Sequence, residues 1–283
     1  YTLWHTLSLH DALPISEARR LHYVHGFDDP AIIAGQGTIG LEICEQLDTF
    51  DAIICPIGGG GLIAGVATAV KHLRPDARVI GVEPKRAPCY TAALEAGEPV
   101  DVATGPTLAD GLAVARIGAN AFATARQRVD RVVTVSEEEL ALAILRIAEL
   151  EKGVVEGAAA ATLAACFNGK LPELAGRRAV LLLCGGNIDP SVLGHVIERG
   201  LVADGRLCRF QAFILDRPGG RAGLSSVIAA AGASILQIIH DRPFSGGDVS
   251  EVAVEVTIET RDRSHLAQVL ADLDAHGIRH ERV

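Results

Sequence analysis

The run Pro56-Ile57-Gly58-Gly59-Gly60-Gly61-Leu62 constrains this chain most. Ala52–Ile57 is continuously apolar and reads as a buried strand. Leu62–Leu73 reads as a helix closed by Pro75. Four successive glycines between a strand and a helix leave backbone N–H groups bare at the positive end of a helix dipole, which makes a seat for a phosphate. The spacing is not that of a Walker loop, which needs Gly-Lys-Ser/Thr, nor that of G-x-G-x-x-G in its usual place. A flexible turn is the competing reading, and the surrounding pattern weighs against it.

That pattern alternates. Ala31–Leu47 has helical spacing, Ala77–Val82 is a second strand, and Val132–Val135 is a third. Ser136 caps a helix running to about Lys152, Val154–Phe167 is Ala-rich and helical, and Ala179–Cys184 is a continuous apolar strand of the doubly covered kind. Pro190–Arg199 is a last helix. The order predicts an α/β fold with a doubly wound, mostly parallel sheet. Near Gly200 the character changes, and residues 200–207 read as a linker. Strand Arg209–Leu215, helix Ala222–Ala231, strand Ser234–His240, a polar turn Pro243–Gly247, strand Val252–Ile258, helix Ser264–His276 and a final strand at Ile278 follow. This β-α-β-β-α-β order is ferredoxin-like. The domains are therefore expected at 17–200 and 206–283. Residues 1–16, which include Trp4, read as a non-native cloning or assembly scar.

Charge and composition exclude several classes. The 283 residues carry a net charge of -9 and no long basic run, so nucleic acid is not an expected partner. No apolar stretch reaches the length of a membrane span. The six cysteines form no C-x-x-C pair and fit reduced thiols in a cytoplasm.

Several strings taken together resemble the threonine dehydratases (threonine ammonia-lyases). They are Gly26-Phe27-Asp28-Asp29-Pro30 through Ile33-Ala34-Gly35-Gln36-Gly37-Thr38-Ile39-Gly40-Leu41-Glu42, Gly58–Leu62, Thr107-Leu108-Ala109-Asp110-Gly111, Glu156-Gly157-Ala158 and Cys184-Gly185-Gly186-Asn187-Ile188-Asp189. The resemblance covers residues 17–200. It implies a pyridoxal 5'-phosphate enzyme of the tryptophan-synthase-β fold, related to serine racemase. Residues 206–283 resemble an ACT domain, an amino-acid-sensing module.

The resemblance implies roles for particular residues. Gly58, Gly59, Gly60 and Gly61, with Leu62 beside them, would hold the cofactor phosphate, because side chains there would block its approach. Cys184 would face the pyridine nitrogen. A thiol, with a reference pKa of about 8.5, is too weak an acid to hold a proton on that nitrogen, which favours elimination over transamination. Its alternative is a buried apolar thiol. Glu156 is either a neighbour of the cofactor ring or a helix-start carboxylate. Asp110 belongs to the active site or forms a turn, and Phe27 lies against the cofactor ring or in the core. Glu83, Ala87 and Cys89 match a cation site of the serine racemase branch. The thiol at Cys89 argues against a divalent ion and leaves a monovalent one open, the alternative being a solvated Glu83. Asp216, Gly219 and Gly220 mark the turn at which ACT domains bind an amino-acid effector, or a plain turn.

The family's Ser-x-Lys-x-Arg-Gly motif, with the lysine that attaches the cofactor, does not occur here, nor does its Ser-x-x-Asn-His loop. The lysines are Lys71, Lys85, Lys152 and Lys170. In family order both motifs precede Glu17, so the chain reads as an N-terminally truncated dehydratase that does not catalyse as it stands. The implied parent reaction converts L-threonine to 2-oxobutanoate and ammonia, with L-serine as a second substrate. The implied assembly is a homo-oligomer, a tetramer. Another enzyme of the same fold and a non-catalytic amino-acid sensor are the rival readings.

Overall fold

A computed structural model describes residues 9–240 and 251–282. Residues 1–8, with Trp4, and the turn expected at Pro243–Gly247 lie outside the described residues. The elements are α1 Leu9–Ala18, α2 Pro30–Gln46, β1 Ala52–Pro56, α3 Gly61–Leu73, β2 Arg78–Pro84, α4 Cys89–Ala96, α5 Ala119–Ala125, β3 Arg131–Val135, α6 Glu137–Arg146, α7 Gly157–Ala164, β4 Ala179–Leu181, α8 Pro190–Asp204, β5 Leu207–Leu215, α9 Gly220–Ala230, β6 Ser234–His240, β7 Glu251–Glu259, α10 Arg263–Ala275 and β8 His280–Arg282. Helix α1 runs across Ser16 and Glu17, the expected boundary between the non-native segment and the domain, and carries Pro14 inside it. The chain divides into two compact units, residues to Ser136 with Ala161–Cys184, and Glu137–Ala160 with Gly185 onward.

The first unit holds a parallel sheet in the order β3-β2-β1-β4. Every residue of β1 is buried, as a strand covered on both faces requires. Helices α2 and α3 cross closely because glycines line the contact. A β-carbon on Gly65 would stand 2.3 Å from the Ile33 carbonyl, and one on Gly40 would stand 2.8 Å from the Ala69 β-carbon. Strand β4 is shorter than its apolar run. It pairs with β1 from Ala52↔Ala179 to Ile54↔Leu181, and the Leu182 amide still donates to the Ile54 carbonyl at 3.1 Å. The chain then turns at Gly185-Gly186, so Cys184 lies just past the strand and is exposed.

The second unit carries an antiparallel sheet in the order β6-β7-β5-β8, built from the expected β-α-β-β-α-β succession. On β5, Cys208, Phe210, Ala212 and Ile214 alternate into a core shared with Leu224, Ile228, Leu266 and Val269 of α9 and α10. The linker expected over 200–207 is instead mostly helix. Helix α8 continues to Asp204, Gly205 ends it with a φ of 75°, and Thr260 donates its hydroxyl to the Gly205 carbonyl at 2.6 Å. Arg146, Glu149, Asp204 and Arg206 close an ion-pair ring there, with Arg146 at 2.8 Å from Glu149 and 2.6 Å from Asp204, and Arg206 also on Glu149.

Candidate active site

Strand β1 delivers Gly58–Gly61 at its carboxyl end, and all four glycines are buried. Their carbonyls are held from behind. Cys89 Sγ donates to the Gly58 carbonyl at 3.4 Å, the Gly118 amide to that of Gly59 at 3.1 Å, and the Ala64 amide to that of Gly60 at 3.0 Å. In a planar trans peptide the carbonyl and the following N–H point opposite ways. The amides of Gly59, Gly60 and Gly61 are thus turned away from these partners. Among the described residues no acceptor meets the amides of Gly58, Gly59, Gly60 or Gly61. Buried unpaired N–H groups are rare, and a cluster of them at the start of α3 fits an anion of the size and charge of a phosphate.

The glycines are required by what packs behind the run. A β-carbon on Gly59 would lie 2.2 Å from Phe27 Cγ, and one on Gly61 would lie 2.3 Å from the Phe27 carbonyl oxygen. Gly60 has a φ of 90°, a left-handed conformation that favours glycine. A β-carbon on Gly58 would stand 3.2 Å from the Gly111 oxygen. Phe27 therefore braces the glycine run, packing against the protein as one of its two sequence readings allowed. Its neighbours continue the brace. Asp28 accepts from the amides of Ala119 at 3.1 Å and Ala121 at 2.9 Å, capping α5, and Asp29 caps α2 through the Ala31 amide at 2.8 Å.

Cys184 lies three residues past the last β1–β4 pair, Ile54↔Leu181. The buried Cys55 thiol is pushed well up, first by burial and then by Cys184. Asp110 opens a single turn, Asp110–Leu112; it is exposed, and its Oδ1 accepts from the Gly111 amide at 2.8 Å. Through that turn Gly111 and Leu112 reach Gly58. Glu156 immediately precedes α7. Its Oε2 accepts from the Asn187 amide at 3.1 Å, and its own amide donates to the Gly185 carbonyl at 3.2 Å. It thus fixes the Gly185–Asn187 turn. Leu62 is half-buried against the core in the first turn of α3.

Glu83 is not a solvated carboxylate. It is 0% exposed and accepts from the amides of Tyr90 at 2.6 Å and Thr91 at 3.0 Å, and from the Thr91 hydroxyl at 2.6 Å. It caps α4, where the N-cap residue Pro88 makes no side-chain hydrogen bond. Burial raises its pKa, and the bonds from Thr91 and Tyr90 pull it back. Ala87 donates its amide to Pro84 in a tight turn. Burial first, and the Glu83 charge second, push the Cys89 thiol up to about 12. Among the described residues no group of three or more His, Cys, Asp or Glu could hold a metal ion.

Sequence reasoning missed α4 and α5, whose caps support the glycine run. The available signals were a carboxylate directly after the apolar run Val79–Val82, Glu83, and the paired aspartates before Pro30. Lys71 donates to the Ala77 carbonyl and Asp130, Lys152 to the Glu149 carbonyl, and Lys170 to the Thr134 carbonyl. In the second unit, Gly219 has a φ of 99° and Gly220 donates to the Arg217 carbonyl at 3.1 Å. A groove of 970 Å³ lies beside this turn, lined by Phe213, Arg217, Gly223, Glu251 and His276 among others. No helix among the described residues is long and apolar enough to cross a membrane.

A family model described as pyridoxal-phosphate dependent enzyme matches residues 9–185. The chain is 45% identical over 266 residues to an L-threonine ammonia-lyase of Geobacter sulfurreducens and 41% identical over 266 residues to one of Thermotoga maritima. Each alignment covers 94% of this chain and 66% of the relative, so the chain spans about two thirds of those proteins. The solved processed form of threonine deaminase isoform 2 from Solanum lycopersicum superposes with a TM-score of 0.62 at 38% identity, over 66% of this chain and 55% of that one.

Proposed function

The chain belongs to the family of pyridoxal-phosphate dependent enzymes, and from that premise we propose that it is part of a threonine ammonia-lyase acting on L-threonine and L-serine. The observation that carries the reading is the set of buried, unpaired amides at Gly58–Gly61. The identities of 45% and 41% to L-threonine ammonia-lyases support the substrate.

When bound, pyridoxal phosphate supplies an electron sink for bond breaking at the Cα of an amino acid. The chain's own residues do the rest. The amides of Gly58–Gly61 and the dipole of α3 hold the phosphate without a cationic side chain. Cys184 offers the pyridine nitrogen only a weakly acidic thiol, which favours prompt loss of a β-hydroxyl over transamination. Glu156 holds the Gly185–Asn187 turn that follows Cys184, and the Asp110 turn holds Gly111 and Leu112 against Gly58. The reaction needs a lysine to take the Cα proton; Lys71, Lys152 and Lys170 are engaged elsewhere, and none of the four lysines, Lys85 included, stands in the family's Ser-x-Lys-x-Arg-Gly context. The antiparallel unit is read as an ACT-type module that binds an amino-acid effector beside Asp216, Gly219 and Gly220.

The test is an assay of the gene-encoded protein with L-threonine and L-serine. The expected products are 2-oxobutanoate, pyruvate and ammonia. D-serine from L-serine with no keto acid would replace the reading by a racemase, and no visible absorption from bound cofactor would leave only an amino-acid sensor.

A further inference from the structure

The three carbonyls behind the glycine run are not held alike. Those of Gly59 and Gly60 are held by the backbone amides of Gly118 and Ala64, which every side chain would leave in place. That of Gly58 is held by a side chain, the Cys89 thiol at 3.4 Å, whose single proton the neighbouring Glu83 carboxylate also attracts. Cys89 is fully buried and opens α4. The next two residues, Tyr90 and Thr91, are fastened to Glu83 by bonds of 2.6 to 3.0 Å. Glu83 stands on β2, which pairs with β1 in the register Cys55↔Gly81 and Pro56↔Val82. The path from β1 through β2, Glu83 and α4 to Cys89 thus returns to Gly58, at the end of the strand from which it set out. A glycine peptide is free to rotate unless something holds it, and at this peptide the holder is the thiol.

We infer that Cys89 is a positioning residue for the cofactor phosphate: by donating to the Gly58 carbonyl it fixes the Gly58–Gly59 peptide plane and aims the Gly59 amide at the anion. The inference rests on the assignment of Gly58–Gly61 to the phosphate, and it deepens that assignment by naming the side chain that orients the seat. Cys89 touches neither cofactor nor substrate in this role.

The test compares pyridoxal phosphate with pyridoxal, which lacks the phosphate. Dissociation constants for both are measured by absorbance titration of the wild-type protein, Cys89→Ala and Cys89→Ser, after circular dichroism has established folding. Cys89→Ala should bind pyridoxal phosphate about fivefold more weakly, the loss of one weak hydrogen bond, with pyridoxal unchanged. Cys89→Ser keeps a donor and should return to within about twofold of wild type. In protein labelled with ¹⁵N-glycine, the Gly59 amide resonance should shift in Cys89→Ala before any ligand is added. Where Cys89→Ala does not fold, Cys89→Val fills the space without a donor and takes its place. An unaltered ratio of the two constants in the donor-less variant, or equal weakening of both ligands, would overturn the role of Cys89 while leaving the phosphate seat standing. Equal affinity of the wild-type protein for the two ligands would remove the seat itself, and the inference with it.

Discussion

Strand β1 hands over to α3 through Gly58–Gly61, and strand β5 hands over to α9 through Gly219 and Gly220. In sequence the two junctions look alike, but their surroundings differ. At the first, β-carbons on Gly59, Gly60 and Gly61 would each meet an atom at 2.8 Å or less. At the second, a β-carbon on Gly219 would have nothing within 4 Å, and only Gly220 is confined, by the Leu215 oxygen at 2.3 Å. The Gly220 amide closes the second turn on the Arg217 carbonyl, whereas the amides of the first run meet no acceptor among the described residues. Glycine at a helix start is therefore not enough for an anion seat. The carbonyls must be held from behind so that the amides face outward together.

The contrast predicts opposite signs for the same substitution. Gly61→Ala forces a β-carbon against the Phe27 backbone, which has no flexible end to yield, and should cost about 3 kcal/mol. Gly223→Ala places a methyl in open space on exposed α9 and should gain about 0.5–1 kcal/mol. Urea unfolding followed by circular dichroism measures both. Similar costs at the two positions would break the comparison.

How much of this was legible follows the range of the interactions. The strand–glycine–helix junction was legible because a continuous apolar run, a glycine run and a periodic run sit side by side in the chain. The alternation of β5 was legible for the same reason. What supports the junction was not. Asp28 caps a helix 91 residues away, and no local rule says which helix a carboxylate will cap. Phe27 reads equally well as a ring for a cofactor or for the protein, and only packing shows that it faces Gly59. The apolar run to Cys184 overstated β4, because a strand lasts only as long as its partner stays beside it. At α8 the error ran the other way, since Gly205 is a helix end that resembles a linker.

Ligand linkage sharpens the comparison next. Pyridoxal phosphate at about 100 times its dissociation constant should raise the unfolding free energy by about 2.7 kcal/mol. Amide resonances of Gly58–Gly61 should move on binding, while those of Gly219 and Gly220 should stay in place. Movement of the second pair alone would reverse the assignment of the seat. A smaller effect is expected at Asp28, which secures α5 and, through Gly118, the Gly59 carbonyl. Asp28→Ala should lower stability by about 1–2 kcal/mol, with Asp28→Asn recovering part of it. Thermal melts check the loss, and cofactor titration checks that the same variant weakens phosphate binding.

The smallest effect is a change of slope with pH, and it sets two carboxylate caps against each other. Glu83 caps α4 behind the glycine run, and burial raises its pKa above 4.5. The folded state then holds the Glu83 proton more tightly than the unfolded state does. Its contribution is largest at low pH and is lost as pH rises from about 4.5 through the raised folded value. Asp262 caps α10 at the surface, where bonds from Ser264 and His265 lower its pKa below 3.8. Its contribution is present above that value and is lost as pH falls through the lowered one. Glu83→Gln does not titrate and accepts through one atom where Glu83 uses two. Its penalty relative to wild type should therefore shrink as pH rises from about 4.5 toward neutrality. Asp262→Asn should behave oppositely, its penalty shrinking only as the medium turns acid. Unfolding free energies of the three proteins across that range decide the matter. A Glu83→Gln penalty that grows with pH would mean that the charged form caps α4 best, and that burial is the weaker influence on this carboxylate.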